Sequence, residues 1–285
     1  MDDFPVRPLR FDFQELEQSD PVWSRSNPFF SIFIKPHGVH VPYFERFLVA
    51  TMREYRRELQ DEALRKDVQK IIGQEAHHAF NFVNWTDAMC GHYPGLCRID
   101  EAAKTTFSNA LKRDKRYKIG LTAGYETFTF LGGMIILNRY EELMGDADPK
   151  LRALWVWHQV EEVEHGSVAF DFYRAFYEQH EWYRKWMVLY AFAHISKETF
   201  VAYREMIRPY NFKKRLSAWK FFAGFAFDLA TAAIPVLKKS YHPRNHPICN
   251  EDQNQVAIAW RRYFDQGEDA LRLTNNDITK MLTEP

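Results

Sequence analysis

The stretch Trp155-Val156-Trp157-His158-Gln159-Val160-Glu161-Glu162-Val163-Glu164-His165 decides the fold. At heptad spacing the register Trp155, His158, Glu162, His165, Ala169, Phe172, Phe176 is apolar at both ends and polar in the middle. Residues so spaced share the helix face that a bundle turns inward. Working outward, the register Val68, Ile71, Glu75, His78, Phe82, Trp85, Met89 repeats the pattern on an earlier helix. Two further helices each set one acid among apolar neighbours: Glu45 between Val41 and Leu48, and Glu126 between Ile119 and Phe130. Carboxylates at core positions need compensation, because an unpaired buried charge is expensive.

The spacing brings these acids to one height. Glu45 and Glu75 are 30 residues apart with their midpoint at 60, on a turn expected at Leu59-Gln60-Asp61. Glu126 and Glu162 are 36 apart with their midpoint at 144, beside the turn Gly145-Asp146-Ala147-Asp148-Pro149. In antiparallel helices, residues equidistant from the turn lie level. The chain therefore reads Glu, Glu-x-x-His, Glu, Glu-x-x-His, the inward ligand set of two-metal carboxylate bundles. Four glutamates carry about −4 and two divalent cations about +4, so bound metal would neutralise the layer. A lone Glu-x-x-His is weak, since with 11 His about one match is expected by chance. The weight lies in two matches at mid-seam, each with a partner acid symmetric about a turn. His158, on the same stripe as Glu162 and His165, offers a third imidazole. The expected metal ligands are Glu45, Glu75, His78, Glu126, His158, Glu162 and His165. Glu54 and Glu58 compete with Glu45, but their midpoints with Glu75 miss the turn. His77, Glu161 and Glu164 are expected to support the ligands from behind or to face water.

The rest of the chain frames this layer. Periodicity predicts bundle helices at about 42–59, 62–89, 116–143 and 150–178, with a crossover helix near 100–112. Asp148 and Pro149 read as N-cap and first residue of the fourth. Helices at 180–207 and 212–239 follow, then a loop-like tail with a helix near 251–265. Residues 1–41, with Pro5, Pro8, Pro21, Pro28 and Pro36, read as an extended arm. The expected architecture is a single all-α domain over 1–285: the arm at 1–41, a metal-binding bundle at 42–178, and C-terminal helices and tail at 179–285.

Charges balance at 38 against 38 with no long basic run, which argues against a nucleic-acid partner. Cys90, Cys97 and Cys249 are too few and too irregular for a disulfide framework. With no signal peptide at the Met1 end, they point to a reducing cytoplasm. The apolar stretches 187–203 and 219–237 could bind lipid or a second subunit, which leaves peripheral membrane contact and a homodimer as alternatives.

These motifs resemble those of the ferritin-like superfamily. More narrowly, the chain resembles the bacterial family labelled "predicted metal-dependent hydrolase". The resemblance rests on Glu126 in Leu121-Thr122-Ala123-Gly124-Tyr125-Glu126-Thr127-Phe128-Thr129, the run 157–165, Val168-Ala169-Phe170-Asp171, Tyr241-His242-Pro243 and His246-Pro247. The His158-Glu162-His165 stripe is also similar to that of the di-iron 4-aminobenzoate N-oxygenases. With the crossover helix and C-terminal helices read above, the expected fold is an all-α, ferritin-like four-helix bundle with a crossover helix and additional C-terminal helices. The likeness to the N-oxygenases implies that the two metal ions are iron and that the chemistry is oxygen activation; the residues alone leave Mn or an Fe/Mn pair open.

The leading expectation is a di-iron oxidoreductase. It would act on an apolar or aromatic small molecule held against Phe82, Phe130 and Gly133, supplied by an electron-donor protein. The alternative is a metal-dependent hydrolase using water activated by a binuclear centre. A third is a non-catalytic metal-binding or membrane-associated protein. Gly124, Gly132 and Gly133 flank Glu126 and either leave room for substrate or allow close helix packing.

Overall fold

The computed structural model describes residues 4–13, 22–90, 92–249 and 254–283. It is all-α, with no strand among the described residues. Helix α1 (Pro28–Phe33) and α2 (Lys35–Tyr55) lead into α3 (Glu62–Cys90), α4 (Pro94–Ala110), α5 (Lys115–Asn138), α6 (Tyr140–Met144) and α7 (Pro149–Tyr177). Then come α8 (Glu181–Ile207), α9 (Phe212–Ala232), α10 (Gln255–Asp265) and α11 (Asn275–Thr283).

Local chemistry starts the bundle helices. Asp61 accepts from the Ala63 and Leu64 amides at 2.8 and 3.2 Å and opens α3. Asp148 accepts from the Lys150 and Leu151 amides at 3.0 Å, with Pro149 in the first turn of α7 where its missing N–H costs nothing. Asp114 and Asn211 do the same for α5 and α9. The hairpins α2–α3 and α5–α7 pack together as the four-helix core, and α4 crosses between them. Helix α8 lies on α5. An aromatic cluster, with Phe33 against Tyr203, Phe222 and Phe225, ties α1, α8 and α9.

Three expectations change. The arm is extended only over its described residues up to Phe13, where Phe4, Phe11 and Phe13 are buried. From Pro28 the chain is helical, not extended. Pro28 and Pro36 sit in first turns, and Pro42 lies inside α2. The carbonyl that Pro42 cannot satisfy, that of Gly38, accepts from Thr86 Oγ1 on α3 at 3.2 Å, so the neighbouring helix makes the bond that proline forfeits. The expected third helix divides at Arg139 into α5 and α6. Cys90 and Cys97, for which no pairing was expected, are brought together between the end of α3 and α4, with Cα atoms 5.8 Å apart. Their spacing of seven hides the chain reversal that pairs them. The expected tail helix is α10; residues 251–253 of that expectation lie outside the described residues.

Candidate metal centre

Four helices each turn part of one polar layer into the bundle. Glu45 comes from α2, Glu75 and His78 from α3, Glu126 from α5, and His158, Glu162 and His165 from α7. All seven are buried, His158 most exposed at 3%. Their donor atoms form two groups, Glu45–His78–His158–Glu162 and Glu75–Glu126–Glu162–His165, each with ligand atoms within 4.8 Å of one another. Glu162 belongs to both. Its Oε1 lies 3.6 Å from His78 Nδ1 and 3.3 Å from His158 Nε2, and its Oε2 lies 3.9 Å from His165 Nδ1. Glu75 straddles the groups too, with Oε2 3.4 Å from His78 Nδ1 and Oε1 2.9 Å from His165 Nδ1. Glu45 closes one end, 3.3 Å from His158 Nε2, and Glu126 the other, 3.7 Å from His165 Nδ1.

This layer is incomplete by its own hydrogen bonding. Glu45 Oε2, Glu75 Oε2, both oxygens of Glu126, Glu162 Oε2 and His78 Nδ1 are buried without a hydrogen-bond partner, and Glu75 Oε1 and His165 Nδ1, though 2.9 Å apart, are not aligned for a hydrogen bond. So many orphaned acceptors in one layer would be heavily penalised unless cations filled the spaces between them. The acid–base balance agrees. Burial, then repulsion from Glu75, pushes Glu45 well above the usual carboxylate range; burial and Glu162 do the same to Glu126. Glu162 is raised to about 7 by burial and Glu75. Burial opposes ionisation of Glu75 as well, but His165 and His78 outweigh it and hold that group low. Protons would thus have to stand in for missing positive charge. A carboxylate- and imidazole-rich donor set suits Fe, Mn or Zn. The residues fit a pair of divalent cations.

Residues 5–247 match the family model described as "Predicted metal-dependent hydrolase". The chain belongs to that family. No curated protein and no solved structure matches it. The family's metal dependence agrees with the buried Glu/His groups.

A network behind the layer aims the imidazoles. His78 Nε2 donates to Glu161 Oε2 at 2.8 Å, leaving Nδ1 free toward the centre. His165 Nε2 donates to Gln74 Oε1 at 2.9 Å, again freeing Nδ1. Gln74 Nε2 in turn donates to Glu164 at 2.9 Å and to the Pro5 carbonyl at 3.0 Å. Arg7 joins both branches, reaching Glu161 and Glu164 at 3.0 Å, and Arg261 of α10 reaches Glu164 at 2.9 Å. Gln159 Nε2 lies 2.9 Å from His158 Nδ1. Ligation through His158 Nε2 needs the proton on Nδ1, which a half-turn of the Gln159 amide accepts. Glu161 and Glu164 thus lie behind the layer, while His77 is only half-buried at the surface. Arg7 and Gln74 were not anticipated. Gln74 is one turn before His78 on α3, a spacing that could have flagged it; Arg7 meets the network only through tertiary folding.

Glu54 and Glu58 are excluded from the layer: Glu54 pairs with Lys118 and Glu58 with Lys115 at the surface. A cavity of about 50 Å3 touches the centre at His158 and Glu162. Its wall includes Thr129, Gly132, His37, Phe33, Phe225 and Leu229. None of the three residues expected to hold substrate lines this cavity. Phe82 is wedged between Trp155 and His158, at ring-centroid distances of 4.9 and 4.8 Å. Phe130 lies over Gly166, where a Cβ would come within 2.6 Å of its ring. Gly133 faces α7, with the Gln159 carbonyl 3.2 Å from where its Cβ would be. One residue earlier, about 100° around the helix, Gly132 has nothing within 4 Å and opens to the cavity.

Proposed function

We propose that the chain is a binuclear metal-dependent hydrolase acting on an ester or amide bond of an apolar substrate. The observation that carries this reading is the layer of orphaned carboxylate and imidazole atoms beside a cavity that reaches His158 and Glu162. Glu45, His78 and His158 would hold one cation and Glu126 and His165 the other, with Glu75 and Glu162 between them. When bound, such a pair polarises a carbonyl and makes water nucleophilic near neutral pH. The chain's own part is orientation and exclusion. Glu161 and Gln74 keep the Nε2 protons of His78 and His165, so their Nδ1 atoms stay available. Phe33, Phe225 and Leu229 keep bulk water from the cavity. His37, held neutral by burial with its pKa lowered to about 4, and the Thr129 hydroxyl are polar groups available to orient a substrate.

The second reading is oxygen activation by a pair of iron ions in a ferritin-like bundle, with an electron-donor protein. A third imidazole in a four-carboxylate layer and the small, mostly apolar cavity favour it. Protein purified without oxygen and loaded with Zn, Mn or Fe separates the two. The hydrolase reading predicts anaerobic cleavage of short-chain p-nitrophenyl esters, lost in Glu162→Ala. Absence of cleavage with all three metals, together with O2 uptake by the iron form, would replace it with the second.

A further inference from the structure

We infer that the outer face of α9 docks onto an anionic phospholipid surface, with the helix lying in the plane of the membrane. Exposed on that face are Phe212 at 76%, Leu216 at 61% and Phe227 at 68%. At 3.6 residues per turn these three fall within an arc of about 60°. Ala218, Phe225, Leu229 and Ala232, the buried positions of α9, lie on the opposite side. One helix thus has two apolar faces, one against the protein and one against solvent. Single exposed hydrophobics are ordinary, but three on one face, from Phe212 to Phe227 and so spread over about 23 Å of helix, are not.

Charge identifies the occupant. Between Glu205 and Asp228 the sequence has no acid and carries Arg208, Lys213, Lys214, Arg215 and Lys220. Among the described residues none of these five is in an ion pair. Lys213 and Arg215 flank the stripe at its first turn. Asp228, the helix's own acid, is neutralised by Arg139 at 2.8 Å. A basic rim around an apolar stripe matches an anionic lipid interface. A two-fold pairing through the same face would set these cations against their copies, which disfavours a second chain as the occupant. The segment Phe212–Leu237 is long and apolar enough to cross a membrane. Its inner face, however, is committed to the bundle, and Lys220 borders the stripe. The far end is anchored as well. Arg184 Nη2 donates to the Val236 carbonyl at 2.9 Å, placing the start of α8 there with Trp182 and Trp186 exposed at 70% and 55%. Tryptophan prefers the level of lipid headgroups.

The inner face of α9 contributes Phe225 and Leu229 to the cavity at the metal centre. If the proposed function holds, an apolar substrate delivered by lipid has one helix to pass. Docking itself is independent of that reading and is tested on metal-free and metal-loaded full-length chain alike.

The experiment is flotation with phosphatidylserine-containing vesicles against pure phosphatidylcholine vesicles, at low and high salt. The expected result is roughly tenfold greater recovery on the anionic vesicles, reduced by salt. Leu216→Glu with Phe227→Glu, and separately Lys213→Glu with Arg215→Glu, should each abolish recovery while leaving the thermal midpoint unchanged, since all four side chains are exposed. Equal recovery with and without anionic lipid overturns the inference. So does a concentration-dependent dimer that Phe227→Glu dissociates, with no vesicle binding, because the face would then belong to a second copy.

Discussion

Replacing Glu161 by Gln removes one charge and almost no volume, which makes it a sharp probe of how the metal layer is held. Glu161 is fully buried; one oxygen accepts a hydrogen bond from His78 Nε2 at 2.8 Å and the other accepts from Arg7 at 3.0 Å. The amide has one acceptor where the carboxylate had two. If its oxygen keeps His78, its NH2 faces the Arg7 guanidinium; if it turns, two N–H groups meet at His78. Either way His78 loses a charged acceptor that makes Nδ1 a better ligand. Loss of an outer partner of a ligand histidine costs about 10–100-fold in metal affinity, or ~1.4–2.7 kcal/mol. The double mismatch puts Glu161→Gln toward the upper end. Glu164→Gln acts on His165 only through Gln74, one bond further out, and should cost less than about tenfold. Competition with a chromophoric chelator for Zn(II) or Co(II) reads both. Affinity unchanged in Glu161→Gln, or a larger loss in Glu164→Gln, would refute the view that this network tunes the layer.

Arg7→Met leaves Glu161 and Glu164 buried without their shared cation and should lower unfolding stability by roughly 3–5 kcal/mol in urea titration; under ~1 kcal/mol would place the arm outside the folded core. Gly132→Leu projects into the cavity, where a Cβ meets nothing within 4 Å, so ester turnover should fall with metal content and thermal midpoint unchanged. Gly124→Ala sets a Cβ 2.6 Å from the Met187 carbonyl of α8 and should cost about 1–3 kcal/mol by forcing α5 and α8 apart. His37 and His40 are both lowered to about 4 by burial. The unfolded chain, with His near 6.5, then binds more protons between those values, so their contribution is present above about pH 6.5 and lost as pH falls toward 4. Thermal midpoints should decline over that window, and His37→Phe should flatten the decline; an unchanged slope would assign it elsewhere.

The polar layer was legible because helical spacing and hairpin symmetry are local arithmetic. Glu75 with His78, and Glu162 with His165, are three apart on one face. The turns at Asp61 and Asp148 then bring Glu45 and Glu126 level with them. What spacing could not disclose depends on tertiary contact. Arg7 reaches the network from the far end of the chain. Pro42 is tolerated inside α2 only because Thr86 of α3 bonds the Gly38 carbonyl. Cys90 meets Cys97 through a reversal that residue spacing does not encode. The glycines beside Glu126 divide between the two roles that spacing left open: Gly124 and Gly133 pack against α8 and α7 and Gly132 lines the cavity, a distinction that needs the neighbouring helices to resolve. Phe82 and Phe130 were rightly judged apolar and inward, but large rings in a dense bundle fill space before they line it.

The most direct test is a metal count on chain purified without chelators, paired with unfolding before and after chelation. Two equivalents per chain, falling in Glu162→Ala, and a lower thermal midpoint for the stripped protein are the predicted results. A chain that keeps no metal after loading, or melts no earlier once stripped, would mean that protons alone balance Glu45, Glu75, Glu126 and Glu162, and the binuclear centre would have to be abandoned.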